Sequence, residues 1–340
     1  MLQIDGKIGE GGGQILRTAV AFSAVTGKAF RIFDIRAKRK NPGLQKQHVQ
    51  SILAAQRACD AECVGAALSS MELEFTPGQI RGGEYAFDIG TAGSASLVLQ
   101  TILPILFRAE GESRVTVRGG THNPWAPPYE FVRDSFLPAI GLMGFEAKAS
   151  LIKHGFYPAG GGELRATIEP MNRDDAKPLN MVKRGDVVRT SAKAILSNLP
   201  LHIGERERDV VSGELGMKWS EIEIEMVRDP AGPGNAVVVT AECGGHKSVF
   251  TGFGQRGKRA EDVAREVCGE YREWLRSGAA VCPHLADQLL IYMALGKGGS
   301  FTTSDVTQHF KTNVEVIKRF VEVDVAVERE GEMYGVVVGV

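Results

Sequence analysis

The chain has 340 residues, 43% hydrophobic and 24% charged, with 40 Lys and Arg against 41 Asp and Glu for a net charge of −1. This is the composition of a globular protein. The near-zero charge excludes a whole-molecule field that would gather nucleic acid, and no apolar run approaches the roughly 20 residues of a membrane span. Cys59, Cys63, Cys243, Cys268 and Cys282 contain no CxxC pair, which argues against a zinc ribbon or a thioredoxin-type site and for free thiols. The first residues read directly as a strand rather than a signal segment. The expected compartment is therefore the cytoplasm, or the nucleus in a eukaryote.

In chain order, Leu2–Asp5 reads as a strand leading into Gly9-Glu10-Gly11-Gly12-Gly13-Gln14-Ile15-Leu16-Arg17. Glycines feeding a helix N-terminus suit an anion, because the first N–H groups lack partners and the dipole is positive there. They equally suit a plain strand-to-helix turn. A helix follows with Ile15, Leu16, Ala19 and Phe22 on one face, then a strand over Ala29–Ile35. The basic run Arg36-Ala37-Lys38-Arg39-Lys40 reads either as a solvated loop or as a phosphate-binding arm. A helix over Leu44–Cys59 and strands near Ala61–Val64 and Met71–Thr76 complete a βαβαββ unit.

The order recurs. Strand Tyr85–Ile89, loop Gly90–Ser94, a helix to about Phe107, strand Ser113–Arg118, a helix over about Pro128–Met143 and strands near Glu146–Lys153 and Glu163–Ile168 form a second unit. A third, without an evident opening strand, has a helix over Leu285–Leu295, strand Ser300–Thr303 and strands Val323–Glu328 and Tyr334–Val338, the first alternating as suits a half-buried sheet. Its second helix is expected to start at the capping box Thr312-Asn313-Val314-Glu315. The segment between the second and third units reads βαβββα. The expected fold is α+β: a large domain of three repeated βαβαββ units (1–183 and 280–340) carrying a small inserted α/β domain (184–279).

His309, in Thr307-Gln308-His309-Phe310-Lys311, precedes that capping box. The positive end of a helix would lower an imidazole's pKa and favour its neutral, nucleophilic form, although an ordinary loop histidine fits the residues too. Asp287, in Leu285-Ala286-Asp287-Gln288, reads as a helix N-terminal charge or as a ligand contact. Gln100 interrupts an apolar helix and needs a partner if buried, either a ligand or a neighbouring helix.

Taken together, Gly9–Arg17, Ile35–His48 (IRAKRKNPGLQKQH), Ile89–Gln100 (IGTAGSASLVLQ), Gly119–Pro128 (GGTHNPWAPP), His154–Gly162 (HGFYPAGGG), Glu205-Arg206-Glu207, Gly232–Asn235 (GPGN), Leu285–Gln288 (LADQ) and His309 with Thr312-Asn313 resemble the RNA 3′-terminal phosphate cyclase family, in order along nearly the whole chain. The resemblance implies an ATP-dependent ligase that turns an RNA 3′-phosphate into a 2′,3′-cyclic phosphate through a histidine–AMP intermediate at His309. It implies that Glu10 contacts a divalent metal, Mg2+ or Mn2+. Arg17, Arg36, Arg39, Gln47 and His48 would gather phosphates of ATP or the RNA end. Gln100, Pro127, His284, Leu285, Ala286, Asp287 and Gln288 would bind ATP. The position of His284 is an aromatic in some relatives. The large domain would be similar to the repeated fold of the C-terminal domain of a bacterial translation initiation factor. The implied partners are ATP and RNA bearing a 3′-phosphate, with no membrane, and a homodimer is compatible with the reading. Two rivals are a non-catalytic cyclase-like factor of RNA processing or ribosome biogenesis, which would lack the nucleophilic histidine, and an enolpyruvyl transferase built on similar repeats, which would not need it.

Overall fold

In the computed structural model, which describes residues 1–340, the chain opens with β1 (Leu2–Asp5), the glycine-rich turn and α1 (Gly13–Thr26). β2 (Phe30–Phe33), α2 (Lys46–Cys59), β3 (Glu62–Val64) and β4 (Leu73–Thr76) complete a sheet of order β1-β2-β4-β3. Its first pair is parallel and the other two are antiparallel. The chain continues through β5 (Gly83–Asp88), α3 (Ala95–Leu106), β6 (Ser113–Gly119), α4 (Tyr129–Phe131), α5 (Leu137–Gly141), β7 (Ala147–Lys153) and β8 (Gly162–Ile168). These strands form a second sheet, β5-β6-β8-β7, with the same pattern of one parallel and two antiparallel pairs.

A short β9 (Leu179–Met181) is followed by β10 (Val187–Ser197), α6 (Leu201–Leu215), β11 (Ile222–Met226), β12 (Gly234–Cys243), β13 (His246–Phe253) and α7 (Ala260–Ser277). Their sheet runs β11-β10-β12-β13, a different order from the first two. The chain ends with α8 (Pro283–Leu295), β14 (Gly299–Thr303), α9 (Gln308–Phe320), β15 (Asp324–Glu330) and β16 (Met333–Gly339). β14 pairs in parallel with β9, and the last sheet runs β15-β16-β14-β9. The architecture is a mixed α/β arrangement of the α+β kind, and no helix is long and apolar enough to cross a membrane.

Four expectations are corrected. The opening strand of the last sheet exists as β9, but with three residues it is too short to show a period, and it lies on the far side of β10–α7 from its partner β14. The helix expected over Pro128–Met143 is broken into α4, a π-helical turn over Val132–Phe136, and α5. Pro138 lacks the N–H needed to continue an i→i−4 ladder, and Leu137 N–H instead bonds Val132 O. β15 is an exposed edge strand rather than half-buried, because only β16 covers it. Helix α9 begins a full turn before Thr312, since the Thr307 hydroxyl already accepts from Phe310 N at 3.1 Å. All five cysteines are free.

The helices carry the packing that positions the site. α1 lies against α2, α3 and α9, and α8 lies against α9. Every residue of α3 except Gln100 is buried, as suits a helix enclosed on all sides. Two short motifs prove to be joints. Glu207, fully buried, accepts from Asn235 Nδ2 at 3.0 Å, and burial pushes its carboxyl up to about 7. Gly234 lies so close to the Phe156 ring that a Cβ there would sit 2.0 Å from it, so GPGN and HGFYPAGGG interlock. The Phe320 ring on α9 meets Phe22 at 6.1 Å and Phe30 at 5.9 Å between ring centres, tying the last helix to the first sheet. Phe320→Ala should therefore cost about 3–5 kcal/mol of stability, read as a lowered denaturant midpoint with unchanged slope.

Candidate functional site

Helix α9 sets His309 in its first turn, and the glycine loop closes over that turn from the other end of the chain. Gly9, at φ 54°, presses so tightly on α9 that a Cβ would lie 2.0 Å from Thr312 Oγ1. The approach brings Glu10 Oε2 to 3.2 Å from His309 Nε2. Arg39 donates to the same Glu10 oxygen at 3.2 Å. The other face of the imidazole is set by α1. Gln14 Nε2 donates to Asp287 Oδ2 at 3.3 Å, which leaves Gln14 Oε1 facing His309 Nδ1 at 2.6 Å. A carbonyl oxygen only accepts. Nδ1 therefore carries the proton, and in the neutral ring the lone pair sits on Nε2. Burial lowers the His309 pKa; Glu10 pulls it up, while Arg17 and Arg39 push it down further.

Asp287 is anchored from behind. Asn313 Nδ2 donates to Asp287 O at 2.8 Å, and Thr18 Oγ1 donates to Asn313 Oδ1 at 2.7 Å. Burial raises the Asp287 carboxyl to about 7 and lowers the nearby Arg17 guanidinium to about 10. Each resists ionising alone in this environment. Asp287 Oδ1 is buried without a partner, an arrangement that is costly unless a ligand satisfies it.

His309, Gln14, Arg17 and Asp287 stand along one side of a cavity of about 400 Å³, within the size range of small-molecule sites. Gln100, Pro127, His284 and Gln288 line it as well. Phe131, Phe136, Ile291 and Tyr292 form an apolar part of its lining, to which β13 adds Val249 and Phe253. Tyr292 Oη and Thr251 Oγ1 are further buried groups without partners on these walls. Gln100 does find a helix partner: its amide donates to Gln288 Oε1, and Gln288 Nε2 donates to His284 O at 2.6 Å.

Other expected residues lie elsewhere. Leu285 and Ala286 are buried in the core and do not reach the cavity. Arg36 spends its guanidinium on Asn41 O and Gly43 O, at 2.7 and 2.8 Å, and so holds the shape of its own loop. Gln47 Oε1 accepts from Ser94 N at 2.8 Å, joining the first turn of α2 to the start of α3. His48 Nδ1 accepts from Gln45 N at 3.0 Å as part of a helix cap. Burial, Arg17 and Arg36 lower its pKa to about 3. These three make main-chain contacts away from the cavity.

A family model described as RNA 3′-terminal phosphate cyclase matches residues 8–327. The chain belongs to the RNA 3′-terminal phosphate cyclase family. Among relatives of that name, the Pseudomonas fluorescens protein is 46% identical over 323 residues, covering 95% of this chain and 93% of that one. The Koribacter versatilis protein is 46% identical over 330 residues, covering 97% and 92%. The Salmonella enteritidis protein is 45% identical over 323 residues, covering 95% and 94%. A solved enolpyruvyl transferase, NikO from Streptomyces tendae, overlaps with a TM-score of 0.37 at 10% identity, covering 99% of this chain and 48% of that one; so weak an overlap carries no argument.

Gln14 and Asn313, which with Thr18 fix the imidazole and Asp287, fall within the quoted stretches but carried no role there, and Thr18 did not stand out. Gln14 sits beside the glycines but shows no pattern of its own, and Thr18 and Asn313 are 295 residues apart. The β13 wall belongs to a separate sheet, so no motif could have linked it to His309. The raised Asp287 pKa yields a test. A carboxyl whose folded pKa exceeds its unfolded value, about 3.9, binds extra protons in the folded state, so it erodes stability as pH rises between the two values. Asp287→Asn removes this penalty. The stability difference, variant minus wild type, should increase from pH 4 to pH 7 and level off above, as read by melting temperature across that range.

Proposed function

We propose that this protein uses ATP to convert an RNA 3′-phosphate into a 2′,3′-cyclic phosphate, with His309 as a covalent nucleophile. The observation that carries the reading is the Nδ1 contact of His309 with Gln14 Oε1 at 2.6 Å, beside a nucleotide-sized cavity. A fixed Nδ1–H aims the Nε2 lone pair out of the ring. Nε2 attacks the α-phosphorus of ATP, forming an N–P bond while the P–O bond to pyrophosphate breaks. The Nδ1 proton stays on Gln14's side, and the positive ring that forms is stabilised by the Glu10 carboxylate 3.2 Å away.

An oxygen of the RNA 3′-phosphate then attacks the histidine-bound phosphorus, freeing His309 and leaving an adenylylated RNA end. Its 2′-hydroxyl attacks the terminal phosphorus, loses its proton and expels AMP. Splitting the work this way replaces a poor leaving group with a good one, and the final step is intramolecular. Arg17 and Arg39 stand beside the nucleophile as cations for the phosphates. Pro127, Gln100, Gln288 and the apolar depth would take the adenosine, for which the unpartnered Tyr292 and Asp287 oxygens offer polar contacts.

A divalent metal belongs to this reading. Glu10 supplies one carboxylate beside His309, and one or two carboxylates plus substrate phosphates is the usual Mg2+ arrangement. Glu10 therefore fits such an ion, which would neutralise charge on the departing pyrophosphate. Residues 1–183 and 280–340 are best described as three copies of one βαβαββ unit, on the strength of the shared strand order of three sheets, with 184–279 as an inserted domain.

Incubation with α-labelled ATP and a divalent metal should give an acid-labile, alkali-stable protein–AMP adduct, absent in His309→Ala. An adduct of equal yield in that variant would refute the assignment. Gln14→Ala should slow adduct formation by about 10-fold or more, because the wrong tautomer is no longer disfavoured; single-turnover kinetics provides the check. Arg39→Ala should impair use of 3′-phosphate RNA more than self-adenylylation, read by comparing the two steps separately.

A further inference from the structure

A second cluster of reactive side chains stands apart from the cleft. His122 follows β6, Glu130 is on α4 and His154 follows β7. Each offers one donor atom, and the three atoms lie within 4.8 Å of one another. No other group of three His, Cys, Asp or Glu side chains in the molecule converges in this way. His122 is fully buried, Glu130 nearly so, and the His154 side chain is 16% exposed. None of the three lines the cavity at His309.

We propose that His122, Glu130 and His154 form a binding site for a divalent transition metal of the zinc type, with a fourth position open. Two imidazoles and a carboxylate with one more position is a donor set that Zn2+ accepts. His122 Nε2 already stands 2.8 Å from Glu130 Oε2. Ring centres of two imidazoles on one tetrahedral ion fall about 5 Å apart, given Zn–N distances near 2.1 Å; those of His122 and His154 are 5.1 Å apart. His154 Nε2 lies 3.4 Å from Glu225 Oε1, on β11 of the different sheet.

The surroundings are built as metal sites are. The second nitrogen of a ligating histidine is normally fixed by a neighbour, which sets tautomer and aim. His122 Nδ1 meets Thr121 Oγ1 at 2.8 Å, and that oxygen accepts from Gly155 N at 2.9 Å. The N–H groups of Thr121 and His122 both donate to Gly155 O, at 2.8 and 3.0 Å. The backbone of the HGFYPAGGG stretch thus locks the loop bearing His122. His154 opens onto a cavity of about 900 Å³ that also carries Glu225, which gives the ion a way in and His154 room to close. A metal here would staple α4 to the loops after β6 and β7.

The test uses the full-length protein, stripped with a chelator and titrated with Co2+ or Zn2+. Wild type should take up one equivalent, with the intense visible bands of four-coordinate Co2+, and Zn2+ should displace them. His154→Ala should weaken Zn2+ binding at least tenfold, Thr121→Val by about 10–100-fold through loss of the orienting contact, and Glu10→Gln should leave it unchanged. Wild type that takes up no metal, or shows only the weak bands of six-coordinate Co2+, overturns the proposal. So does equal affinity in a folded His154→Ala, or loss of the metal in Glu10→Gln. Should His154→Ala fail to fold, the wild-type cobalt spectrum decides.

Discussion

The contact on which the site depends is the seat of the glycine loop on the first turn of α9. Without Cβ at residue 9 the main chain can lie against Thr312, and only then do Glu10 and His309 come within 3.2 Å. Neither element could make this site alone. The loop supplies a carboxylate and backbone N–H groups, and the helix supplies the imidazole. The aromatic packing of Phe320 on Phe22 and Phe30 and the buried Thr18–Asn313 bond hold the same two helices in register. Burial and polar pairing thus serve one geometric end.

Electrostatics in the cleft follows from that geometry. Low polarity in the depth raises Asp287 and lowers Arg17, so each is stabilised by the other and by whatever charge arrives from solution. The imidazole sits between a carboxylate and two guanidinium groups, with burial tilting it toward the neutral form. Unpartnered oxygens at Asp287, Tyr292 and Thr251 mark the walls as unfinished. In a closed core such groups would be selected against, whereas in a binding cavity they become contacts.

Much of this was legible in the residues themselves. The glycine run before a helix marked an anion site or a tight turn, and Gln100 within the apolar pattern of α3 called for a partner, which Gln288 supplies. What stayed hidden was of two kinds. Short or broken elements, such as the three residues of β9 and the π turn before Pro138, carry too little pattern to show a period. Residues that act through others, such as Gln14 and Asn313, gain their role only when distant segments meet. Arg36 and His48 illustrate the converse. Their types suit phosphate, yet the nearest acceptors and donors are their own loop and helix cap.

The pairing of β9 with β14 has a consequence for how the molecule is made. One strand of the last sheet leaves the ribosome before β10–α7, while its partner emerges only afterwards. Sheet β11-β10-β12-β13 can therefore close while the last sheet is still a single waiting strand. The imidazole follows later still, on α9, and docks on a loop synthesised long before it. The growing polypeptide consequently carries the two halves of the Glu10–His309 contact unjoined until α9 has been made.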